Sequence, residues 1–77
     1  MSGQEVGLSS FCHERTYPEM LDAAEEMLAT ELRHRWPAVT EVTTERRWAD
    51  PFSWEDEDGV RHIRPGCWAI FATGLNP

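Results

Sequence analysis

The clearest alternation of apolar and polar positions in the chain has a helical period. Tyr17, Met20, Leu21, Ala24, Met27, Leu28, Leu32 and Trp36 recur at spacings of three and four, which predicts one apolar stripe along a helix over 17–36. Thr16 followed by Glu19 reads as a capping box, with Pro18 suited to the first turn. Glu19, Asp22, Glu25, Glu26 and Thr30 fall on the outer face, while Arg33, His34 and Arg35 come late, an order that complements the helix dipole. Glu31 and Arg35 are spaced as an i, i+4 ion pair. Pro37 stops the helix and pushes Trp36 out of the α region.

The period changes to two after the helix. Residues 39–48 read as a strand, with Thr40, Val42, Thr44, Arg46 and Trp48 on one face and Val39, Glu41, Thr43, Glu45 and Arg47 on a charged, solvent-facing side. Ala49-Asp50-Pro51 breaks it. Residues 52–63 then place two short runs around Glu55-Asp56-Glu57-Asp58-Gly59, the pattern of a hairpin with an acidic tip, anchored by Phe52, Val60 and Ile63. Pro65-Gly66 marks a turn. Cys67–Thr73 is a continuous apolar run of strand length, expected to be a buried central strand, and Gly74–Pro77 a tail. At the other end, Val6, Leu8, Ser10 and Cys12 alternate with Gly7, Ser9 and Phe11, a short edge strand over 6–12, with residues 1–9 expected to form a flexible arm. The expected fold is α+β: one domain over 1–77, with one amphipathic helix packed on a three- to four-stranded antiparallel sheet.

Length and charge narrow the function. A chain of 77 residues buries only roughly 60% of its unfolded surface, and its core must come from Trp36, Trp48, Trp54, Trp68, Phe11, Phe52, Phe71 and Tyr17. That leaves little room for a substrate pocket. Fourteen acids stand against seven bases, all arginine, for a net charge of −7. This balance argues against direct nucleic-acid binding and fits association with a basic protein surface, or solubility alone. No apolar run approaches the roughly 20 residues of a membrane span, so a cytoplasmic protein with reduced Cys12 and Cys67 is expected.

No stretch carries a catalytic motif, and the expectation is a protein that is not an enzyme and uses no cofactor. An EF-hand reading of the acidic tip fails, because Trp54 and Pro65 would occupy the first and twelfth ligand positions. Cys12, His13, His62 and Cys67 could form a zinc site of two sulfurs and two nitrogens, but without finger spacing. The charge map is more specific. Residues 17–32 hold five acids and no base, and so do residues 50–58, whereas residues 59–77 hold Arg61 and Arg64 and no acid. A helix face and a hairpin tip are thus both purely negative.

This short chain, with its −7 charge, its run Glu55-Asp56-Glu57-Asp58 and its acidic helix Glu19–Glu31, resembles the small acidic proteins that phages make against bacterial immune complexes, the anti-CRISPR proteins. The resemblance is one of overall character and carries no shared motif. It implies a non-enzymatic inhibitor, in the host bacterial cytoplasm, that engages the basic surface of a CRISPR effector and blocks DNA access, as a DNA mimic does. The partner-binding residues expected on this reading are Glu55, Asp56, Glu57 and Asp58, with Glu19, Asp22, Glu25 and Glu26 as a second patch. The alternatives are a homodimeric interaction module that buries an exposed sheet face or the Trp54 side of the hairpin, and a small zinc-binding domain.

Overall fold

A computed structural model describes residues 3–77. The order of elements is β1 (Gln4–His13), α1 (Pro18–Arg35), β2 (Thr40–Ala49), β3 (Phe52–Glu55), β4 (Arg61–Arg64) and β5 (Cys67–Asn76). Strands β1, β5 and β2 form an antiparallel sheet in that spatial order, and β3 and β4 form a separate two-stranded hairpin. The fold is the expected α+β arrangement, with three strands under the helix. The apolar run Cys67–Thr73 is the central strand, paired along one side with β1 and along the other with β2.

Two expectations at the ends are corrected. The N-terminal segment is not an arm through residue 9: β1 starts at Gln4, which pairs with Asn76. The ladder satisfies backbone groups that a free arm would leave to water. Met1 and Ser2 lie outside the described residues. The same pairing carries Gly74, Leu75 and Asn76 into β5, so they are strand and not tail.

The helix packs on one face of the sheet. Leu21, Ala29 and Leu32 are buried against that face, where Ile70 and Ala72 are fully buried. Burial of a side chain such as Leu32 or Ile70 is worth roughly 1.5–3 kcal/mol. Tyr17 is the N-cap and no side chain caps the helix. Thr16 instead donates its backbone N–H to the His13 carbonyl, closing the turn that leads out of β1. The inward stripe is also rotated from the expected one. Tyr17, Met20 and Met27 are exposed, whereas Glu25 is drawn inward. Arg46 on β2 is the cause: it pairs with both Glu25 and Asp22, and Thr44 donates to Glu25 at 2.7 Å.

Strand β2 contains a bulge. Thr40 pairs with Leu75 and Thr43 with Thr73, so Glu41 and Val42 stand opposite Gly74 alone. Glu41 takes a left-handed φ of 56°, a conformation that bulges use to absorb the extra residue. Beyond the bulge Thr44, Arg46 and Trp48 share the helix side, as the alternation predicted.

The hairpin β3–β4 grows out of the far end of β2 and β5. Ten-residue strands reach about 33 Å, while the long dimension of the molecule is 51 Å, so the arm makes up most of the remainder. Its root is clamped. Trp48 and Trp68 meet edge to face at 5.2 Å, and Trp48 Nε1 donates to Asp50 at 2.7 Å. Gly66 lies against this ring, where a Cβ would fall 2.5 Å from Trp48.

Two stability results are expected. Gly66→Ala should lower the unfolding free energy by about 1–3 kcal/mol in chemical denaturation, the usual cost of overpacking. Arg46→Ala should lower the melting temperature clearly more than Arg47→Ala in matched thermal scans. Arg46 serves two helix acids, one of them mostly covered, whereas Arg47 and Glu45 form an exposed pair of the kind that contributes little.

Candidate functional site

The arm combines the acidic tip with an aromatic side. In its ladder Phe52 pairs with Arg64, Ser53 with Ile63, Trp54 with His62 and Glu55 with Arg61. Strand alternation therefore puts Phe52, Trp54, His62 and Arg64 on one side. Phe52 stacks on Trp54 at 5.8 Å and Trp54 on His62 at 5.3 Å. The other side carries Ser53, Glu55, Arg61 and Ile63, with Arg61 donating to Ser53 Oγ at 3.3 Å.

The expected anchoring of the arm by Phe52, Val60 and Ile63 is corrected. All three are exposed, Ile63 to 72%. No second layer covers a two-stranded arm, so its apolar side chains have nothing in the described residues to pack under. Conformation is held instead by aromatic stacking along the strand, by the tryptophan pair at the root and by the turn at the tip.

Asp56 builds that turn. Its Oδ1 accepts from the backbone N–H groups of Asp58 at 2.9 Å and Val60 at 3.0 Å. Its Oδ2 bonds His62 Nε2 at 2.8 Å. The backbone adds Gly59 N–H to the Asp56 carbonyl and Asp56 N–H to the Val60 carbonyl, both at 3.0 Å. Gly59 closes the loop with φ 78°, a left-handed position suited to glycine. The His62 hydrogen bond, followed by that of Val60, holds the Asp56 carboxyl below its ordinary value of 3.8.

The eight acids singled out in the sequence thus fall into different roles. Asp56 is a structural staple of the turn. Asp22 and Glu25 neutralise Arg46, with the Asp22 hydrogen bond as the main cause that raises the Arg46 guanidinium above its ordinary range. Glu55, Glu57 and Asp58 remain at the arm tip, and Glu19 and Glu26 on the helix; all five are exposed and none has an ion-pair partner among the described residues. His13 pairs with Cys67 beside the arm root, and α1 starts five residues later. Glu19, in the first turn of α1, therefore lies at the arm end of the sheet, and Glu26 farther along the helix. Asp22, Glu25 and Glu26, with Arg33, also border an open groove between α1 and β2.

The aromatic side of the arm, expected only as a surface that a homodimer could bury at Trp54, adjoins the acidic tip. Phe52 and Trp54 at i, i+2 in a predicted strand signal a shared face, and hairpin register would have placed His62 opposite Trp54. The four zinc candidates are not gathered. His62 is engaged on the arm with Trp54 and Asp56, His13 Nδ1 accepts from the Arg15 N–H, and Cys12 and Cys67 are free thiols. Register puts Cys12 and Cys67 on opposite faces of the sheet, because it is His13 that pairs with Cys67.

No helix among the described residues is long and apolar enough to cross a membrane. Comparison with protein-family models, curated proteins and solved structures finds no match to the chain.

The turn chemistry sets a pH response. Folding depresses Asp56, so its contribution to the tip is fully present above the unfolded value near 3.8 and is lost as pH falls through the lower folded value. NMR titration of the intact protein should find the Asp56 carboxyl more than half ionised at pH 3.8. Asp56→Ala should free the Asp58 and Val60 amides and speed their hydrogen exchange at neutral pH. Unchanged exchange in that variant would show that the backbone turn alone holds the tip.

Proposed function

We propose that this protein is a non-enzymatic inhibitor that inserts its arm into a basic surface of a nucleic-acid-handling complex, of CRISPR effector type, and keeps DNA out of it. The observation that carries this reading is the division of the acids. Asp22, Glu25, Glu31, Glu45 and Asp56 are ion-paired within the fold. Glu55, Glu57 and Asp58 sit together at the end of a projecting arm with no such partner among the described residues. Clustered like charges repel one another and cost stability, and arginines or lysines on a partner would relieve that cost.

The exposed aromatic side supports the same reading. Tryptophan is enriched among the residues that dominate binding energy at protein interfaces, and Trp54 is held in a fixed orientation by Phe52 and His62. The acids supply attraction and steering, while Trp54 and Phe52 supply apolar area. Arg61 and Arg64 lie behind the tip on the returning strand, so the negative charge is concentrated at the outermost turn. Glu19, at the arm end of the sheet, extends the same anionic end. The effectors in question work in a bacterial cytoplasm, which is where the inhibitor would act.

The test uses purified CRISPR effector–guide complexes of several types, with target-DNA binding as the readout. The wild-type protein should weaken DNA binding by tenfold or more for at least one type. Reversing Glu55, Glu57 and Asp58 to lysine should abolish that effect and leave the circular dichroism spectrum unchanged. The inhibition should also fade as salt rises, since exposed charges are screened within about 10 Å at 0.1 M. Equal inhibition by the reversed and wild-type proteins would end the proposal.

A further inference from the structure

The sheet has two faces and the described residues cover one with a helix. Strand β5 is apolar on both. Ile70 and Ala72 face α1, and alternation puts Cys67, Ala69, Phe71, Thr73 and Leu75 on the opposite side. A strand that is apolar on successive residues is the pattern of one buried from both sides. On the uncovered side β1 adds Phe11, 69% exposed, beside Ala69. The small residues Gly7 and Ser9 flank Thr73 and Phe71, which leaves this face without tall obstacles near its centre.

We infer that the uncovered face is the interface of a homodimer, in which two copies stack their sheets back to back with a helix on each outer side. Three observations favour a second copy over another occupant. The first is charge. The chain carries −7, so most of its surface repels a copy of itself. On this face Glu45 and Arg47 neutralise each other at 2.8 Å, and Arg47 lies over the Phe71 ring at 5.7 Å. Glu5, opposite Leu75, adds an unpaired acid at the end of this face. A nearly neutral face on an acidic chain suits self-contact, whereas a basic partner would find a single unpaired acid, Glu5, to pair with.

The second observation is area. A folded monomer of this mass exposes about 4,800 Å² by the usual scaling, whereas this chain exposes 5925 Å². The arm supplies part of the excess of about 1,100 Å², which is the same order as the roughly 800 Å² that each partner loses in a standard interface. The third is thickness. The shortest dimension is 16 Å, that of one helix on one sheet. Sheets stack at about 10 Å, and a second copy would give β5 apolar cover on both sides. The inference does not depend on what the arm binds.

Sedimentation equilibrium at micromolar concentration should give twice the 8.9 kDa of one chain. Phe11→Arg removes a ring that is mostly in solvent within one chain, so folding should survive by circular dichroism while the dimer dissociation constant rises at least tenfold. Phe71→Arg should dissociate the dimer further. Met27→Arg, on the exposed side of α1, should leave association unchanged. A wild-type monomer under these conditions overturns the inference. So does a dimer that persists in both phenylalanine variants, as pairing through the free edge of β1 would, or one that Met27→Arg dissociates.

Discussion

One helix has to stabilise a sheet whose central strand is apolar on both faces, and the rest of the structure follows from that shortage. Leu32 on the helix and Ile70 on the sheet, both fully buried, mark the core formed by the described residues. Everything else apolar is arranged at its margins or left in contact with solvent. A chain of this size has few residues to form a second layer, and this one places thirteen of them, Phe52–Arg64, in an arm that no second layer among the described residues covers. The arm is therefore held by local means: a tryptophan pair at its root, stacked rings along one side and a carboxylate-stapled turn at the tip. Each of these works without a core beneath it.

Periodicity made much of the architecture legible. The three- and four-residue spacing from Tyr17 to Trp36 marked α1 to within a residue at each end, and Glu55–Gly59 marked the turn between β3 and β4. Periodicity did not settle the rotation of the helix. Two apolar stripes compete on α1, one through Leu21, Leu28 and Leu32 and one through Tyr17, Met20 and Met27. The cation that chooses between them, Arg46, lies on a strand 21 residues beyond Glu25. Long-range electrostatics of this kind leave no local trace in a sequence. The first strand was read too short for a related reason. Gln4 and Glu5 have no apolar signal, and only the pairing with Asn76 and Leu75 makes them strand.

The acidic residues show the same division between composition and placement. Their abundance was visible at once, and so was their clustering at 17–32 and 50–58. Which of them serve the fold could be seen only with partners in place. Asp56 and Glu57 are neighbours of the same charge, yet one has its oxygens filled by two amides and an imidazole and the other faces water. A run of carboxylates is thus a mixture of staples and free charges. Substitution of the whole run would confuse a loss of binding with a loss of the turn.

The bulge at Glu41 bears on how this sheet can meet others. Strand edges recruit further strands unless something spoils their regularity. On β2 the bulge breaks the register near one end, and Glu41, Glu45, Arg46 and Arg47 crowd the strand with charge. The other edge, β1, is ten residues of unbroken ladder with a single acid, Glu5. The sheet therefore has one edge able to pair with a further strand and one that resists pairing. Continuous edge-to-edge growth needs two pairing edges in every chain, and Glu41 in its left-handed conformation, with the charges around it, withholds the second.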